Sequence, residues 1–183
     1  RDKLVTGVQT CALPISYALP EHQREIHSLE DFATAQTLFN AFLGVSQGGP
    51  VRTAALMTMK ALGDQTWEFR FLLMWLVLEC LFGPETPHET TFRLSPRMAF
   101  FLEKERPKAR EVYGRIKKSY EWRSRIVHGL RLSTVRGEKS DSLLVELEEL
   151  VRRSLVEILA SETLVKTFDG GRREEYLDSL AFR

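Results

Sequence analysis

Tyr120-Glu121-Trp122-Arg123-Ser124-Arg125-Ile126-Val127-His128-Gly129 closes a long helical pattern in this chain. Upstream, Pro107 suits the first turn of a helix, and Gly129 suits a left-handed stop. The spacing therefore predicts a helix over residues 108–128. On a helical wheel Val112, Tyr113, Ile116, Tyr120 and Val127 share one side and define a buried stripe. Arg123 falls inside that stripe, whereas Lys108, Lys117 and Lys118 face elsewhere. An inward arginine costs free energy unless it is paired or opens on a cleft. His128 is expected at the stripe's edge, about 7.5 Å further along the axis, a gap an arginine side chain can close. Ser124 lies between the two. Polar groups thus gather where the pattern demands apolar ones, and such violations concentrate at functional sites.

Outward from this helix, apolar spacing is helical almost everywhere and strand signals are weak. Leu29, Phe32, Ala33, Leu38, Phe39 and Phe42 form a stripe on a first helix, with Ser28 and Asp31 placed to cap it. Gly48-Gly49-Pro50 breaks that helix, and a second runs over 51–62. Residues 67–82 are apolar nearly all round and are expected at the centre. Gly83-Pro84 stops them, and 85–92 reads as a loop. Ser95 as cap and Pro96 at the first helical position predict a short helix over 96–104. Beyond a basic connector at 130–140, Asp141 is expected to cap a helix over 142–160. Its inward face is Leu143, Leu144, Leu147, Leu150, Val151, Leu155 and Ile158. A last short helix is expected over 172–180, past Gly170-Gly171. The class is all-α, read as an up-down bundle of four main helices with short accessory helices.

Residues 1–16 stand apart. Val5 to Ser16, VTGVQTCALPIS, resembles the translation of a sequencing adapter, so 1–16 are expected to be non-native. Residues 17–50 read as an N-terminal helical segment, the possible end of a truncated upstream region, and 51–183 as the core of the domain. The 167 residues from Tyr17 onward carry 24 Lys and Arg against 24 Asp and Glu. Bulk charge therefore gives no sign of nucleic-acid binding, and any RNA contact must come from a local patch. The longest apolar run, 71–82, is short of the roughly 20 residues that span a bilayer. With Cys11 set aside, only Cys80 remains, which fits a reducing, cytoplasmic compartment.

The residue types suit RNA cleavage. An imidazole takes or gives a proton near neutrality. A guanidinium keeps its charge, grips a phosphate through two hydrogen bonds and stabilises the charge that builds on the phosphorane. The 2′-hydroxyl, absent from DNA, is the nucleophile on hand, and its attack leaves a 2′,3′-cyclic phosphate without a metal. No cysteine, histidine or carboxylate cluster suggests a metal site. Plainer roles stand beside these. Arg123 could pair with Glu79 on the central helix. His128 could cap the helix C-terminus. Ser124 could orient His128 or bond backbone, and Arg125 and Arg131 could follow an RNA backbone or face solvent.

An arginine, four residues and a histidine is the signature spacing of the HEPN helical domains, many of which cut RNA without a metal. Tyr120 to Gly129 resembles the Apea-like branch, in which an aromatic and two residues precede Arg-Ser, one residue, then Ile-Val-His-Gly. Leu78-Glu79-Cys80-Leu81-Phe82 is similar to the end of that family's central helix, and Arg93 to Ala99 to its next element. The likeness covers roughly residues 29–180. It implies Arg123 and His128 as catalytic residues, supported by Ser124, Tyr120 and Glu79, with Arg125 and Arg131 on RNA and no cofactor. It further implies a homodimer that brings two motifs face to face, and a role as effector of an antiviral, abortive-infection or toxin system. The missing partner would be an N-terminal sensor domain or a cognate antitoxin. Many nuclease members carry asparagine, aspartate or histidine where this chain has Ser124; the Apea-like branch favours serine. The alternatives are a HEPN module that binds RNA or nucleotide or dimerises without turnover, and a plain helical interaction domain.

Overall fold

The computed structural model describes residues 28–84, 90–129 and 138–182. Among these residues there are eight α-helices and no strand. Two compact units separate at Thr34 and Ala35. Of the first, Ser28 to Thr34 are described. The Ser28 hydroxyl accepts the Asp31 N–H, and the Asp31 carboxylate accepts the Ser28 N–H, a reciprocal cap for α1 (Leu29–Leu43). The apolar stripe on this helix is not buried: no α1 residue is, and Phe39 and Leu43 are exposed. Periodicity reveals that a face is apolar, not that anything covers it.

In the second unit α3 (Trp67–Phe82) is central, as its all-round apolar sequence requires. Phe71, Met74, Trp75, Val77, Leu78, Leu81 and Phe82 are buried on it. Around it pack α2 (Pro50–Leu62), α4 (Thr90–Leu102), α5 (Arg106–Val127) and α6 (Glu138–Leu159). The inward face predicted for α6 is buried at all seven positions, from Leu143 to Ile158. Fully burying one such leucine contributes about 1.5–3 kcal/mol. Two boundaries differ from expectation. Pro96 lies inside α4, which starts at Thr90, and Ser95 is buried on that helix. Leu94–Met98 and Ser95–Ala99 are buried pairs at helical spacing, so packing carries the helix through the proline. Likewise Asp141 does not cap α6, because that helix begins three residues earlier.

The chain's last helices clasp the end of α3. Two short ones, α7 (Glu162–Phe168) and α8 (Arg173–Ser179), are followed by a 3-10 turn at Leu180–Phe182. Sequence reading missed α7, although Ser161 announces it by accepting the Leu164 N–H. Just past α7, Asp169 accepts the Val51 N–H at 3.1 Å and so caps α2 from a distant part of the chain. A Cβ at Gly49 would collide with that carboxylate, which explains the glycine. On α4 the guanidinium of Arg97 is 3% exposed. It donates to Asp178 at 2.8 Å, to Glu174 at 3.0 Å and to the Phe82 carbonyl at 3.3 Å. Arg173 donates to the Cys80 carbonyl at 2.7 Å. Two arginines thus satisfy carbonyls that the end of α3 leaves open. Burial pushes the Cys80 thiol up, Arg173 partly offsetting this and Asp169 reinforcing it.

Candidate functional site

The α3–α5 junction begins with an aromatic contact and ends with an ion pair. Trp75 on α3 donates its indole N–H to the Ser119 hydroxyl of α5 at 3.0 Å, a buried bond that neither residue advertises in sequence. Its ring meets Tyr120 edge to face, centroids 5.6 Å apart. One turn further along both helices, Arg123 Nη2 lies 3.0 Å from Glu79 Oε1. The Arg123 guanidinium also stands 5.8 Å from the Tyr120 ring centroid. Helical spacing of four places Glu79 beyond Trp75, and three places Arg123 beyond Tyr120. The stripe therefore brings Tyr120, Arg123 and Glu79 together. The ion pair is about a quarter exposed on each side, so water screens it and reaches the guanidinium.

His128 is elsewhere. It follows the last residue of α5, and its backbone N–H donates to the Ser124 carbonyl at 3.1 Å. Gly129 then turns left-handed at φ 61°, as expected of the stop. The imidazole is exposed and, among the described residues, makes no hydrogen bond or ion pair. Five residues on a helix rotate by about 140°, so a side chain at 128 leaves the face that 123 occupies. The expectation that His128 sits at the edge of the buried stripe is corrected by this rotation. Val127, at the end of the same stripe, is half exposed too. What joins Ser124 to His128 is backbone rather than a hydroxyl. Arg125 points outward, its guanidinium stacked 4.7 Å from the Trp122 ring centroid. Arg131 lies outside the described residues.

The arrangement can hold a phosphate beside Arg123 or Arg125 and present an imidazole at the same helix end. Among the described residues no group of three or more histidine, cysteine, aspartate or glutamate side chains could hold a metal. None of the described helices is long and apolar enough to cross a membrane. A cleft of about 550 Å³ lies between α1, α2, α3 and α6, lined by Leu38, Leu62, Met74, Leu155 and Leu159. Glu148, Glu149 and Arg152 also line it, and Arg123, Glu79 and His128 do not. No protein-family model, curated protein or solved structure matches this chain.

Proposed function

We propose that this chain is a HEPN-type four-helix bundle that cuts RNA without a metal. The observation that carries the reading is the exposed imidazole of His128, without a partner among the described residues, at the end of the helix that bears Arg123 and Arg125. His128 takes the proton of a ribose 2′-hydroxyl, and the resulting oxygen attacks the adjacent phosphorus. The 5′-oxygen of the next nucleotide leaves with a proton returned by the imidazolium, and a 2′,3′-cyclic phosphate remains. Arg123 has five donors and one carboxylate partner, which leaves N–H groups for the phosphate. Two copies joined through the motif-bearing face would supply a second Arg–His set. Such a protein fits a cytoplasmic effector of antiviral defence or growth arrest, under a sensor domain or an antitoxin.

The test is incubation of the full chain with RNA in EDTA beside His128→Ala. Cleavage that falls by about 10²–10⁴-fold in the variant is expected, with cyclic-phosphate ends. Equal cleavage by both proteins would remove His128 from the mechanism. The Arg123–Glu79 ion pair favours a second reading, a module that binds RNA or nucleotide, or dimerises, without turnover. RNA binding with no cleavage by the folded wild type would select it.

A further inference from the structure

The charge of the chain is concentrated on one helix. α5 carries eight basic residues against Glu111 and Glu121, while the whole chain is at +1. Part of that charge is spent inside: Arg115 pairs with Glu149 of α6 at 2.6 Å, and Arg123 with Glu79. The rest faces water. Arg110, Lys117, Lys118 and Arg125 are exposed, and among the described residues none of the four has an ion-pair partner. Helical rotation puts all four on the side opposite buried Ile116, together with His128. Two are held over rings rather than left to wander, Lys117 at 5.8 Å from the Tyr113 centroid and Arg125 at 4.7 Å from that of Trp122. Glu111 and Glu121 interrupt the row without pairing to it.

We propose that a single RNA strand lies along this outward face of α5, its phosphates gripped by Lys117, Lys118 and Arg125, with His128 at the end of the track. The track from Lys117 to His128 is about 16 Å long. Basic side chains beside half-buried aromatic rings are what a single strand uses, phosphates on the cations and bases on the rings. An anionic membrane is the other polyanion to consider. It binds a basic helix whose apolar face can enter lipid, and in α5 that face, Ala109, Val112 and Ile116, is already buried in the protein. The inference rests on the RNA reading above and adds to it the surface that ends at His128; Arg123, on the inward side with Ile116, is not part of the track.

The test uses the full chain and a fluorescent 2′-O-methyl RNA twelve-mer, which lacks the nucleophile and cannot be cut. Lys117→Gln with Lys118→Gln should weaken binding about tenfold and flatten the salt dependence of log K by about 1.4, two single-strand phosphate contacts. Lys60→Gln with Lys104→Gln makes the same charge change at exposed sites off α5 and should leave both values alone. Equal losses in the two double variants, or none in the first, would overturn the track. Tighter binding to phosphatidylserine vesicles than to RNA, lost in the first variant, would overturn it in favour of a membrane surface. Separate outcomes report on the nuclease. Binding lost with the lysines but no cleavage of ordinary RNA keeps the track and sinks the nuclease; unchanged binding with cleavage that needs His128 does the reverse.

Discussion

Arg97 and Arg123 both turn toward the helical core, and they differ in how fully they are used. Arg97 is sealed in, with two carboxylates and a carbonyl on its donors. Arg123 is 27% exposed and has one carboxylate and an aromatic ring. A sealed cation with three of its five donors bonded has little left to offer a ligand. One that is a quarter exposed with a single carboxylate partner keeps donors available. Burial alone is therefore a poor guide to which inward arginine is functional; the count of unspent donors is a better one.

The largest effect expected from this contrast is at Arg97. Arg97→Met should cost about 3 kcal/mol in urea unfolding, the lower end for a broken buried pair because Asp178 is open to solvent. A loss under about 1 kcal/mol would erase the distinction between the two arginines. Next comes the left-handed turn that follows His128. A Cβ at Gly129 meets nothing within 4 Å, so Gly129→Ala tests strain alone and should cost about 1–2 kcal/mol. Arg123→Met should cost at most about 1 kcal/mol of stability, given its screening, and the proposed mechanism expects it to lower RNA cleavage at least about 100-fold. A variant that unfolds instead would make Arg123 a second Arg97.

The smallest effect is a pH dependence at a third arginine. The Arg115 guanidinium, hydrogen-bonded to Glu149, holds that carboxyl below its usual range, with burial opposing it. A depressed carboxyl pKa in the folded state stabilises the protein above the ordinary carboxylate range, and the benefit is lost as pH falls through the folded value. Glu149→Gln should therefore leave the stability at pH 3 nearly unchanged and lower it slightly at pH 7. A loss of the same size at both pH values would show that the pair acts through packing rather than charge.

Helix order and the buried faces of α3 and α6 were legible because each rests on a run of apolar residues at one period. The Arg123–Glu79 pair was legible too, because an inward charge must find a partner and α3 carries one glutamate near its end. The limits of reading are equally local. Pro96 obscured the first turns of α4, since the rule for proline at a helix start cannot see the leucine and methionine that hold the helix on both sides of it. Arg97 escaped notice because its partners, Glu174 and Asp178, lie 77 and 81 residues away. The outward turn of His128 was available from the helical repeat, but the length of the arginine side chain made a meeting look easy.

That long separation also sets an order of events during synthesis. As the ribosome makes the chain from its amino end, α4 emerges while the counter-charges of Arg97 are still untranslated. Its guanidinium has to stay in water until residues 174 and 178 have been added, because entering the core alone would strand a charge there. The seam between α4 and α8 is thus closed late. A nascent chain stalled before residue 173 lacks both of the carboxylates that neutralise Arg97 and the arginine that covers the Cys80 carbonyl. Such a chain leaves the Cys80 carbonyl uncovered, a mark that distinguishes an unfinished molecule from a finished one.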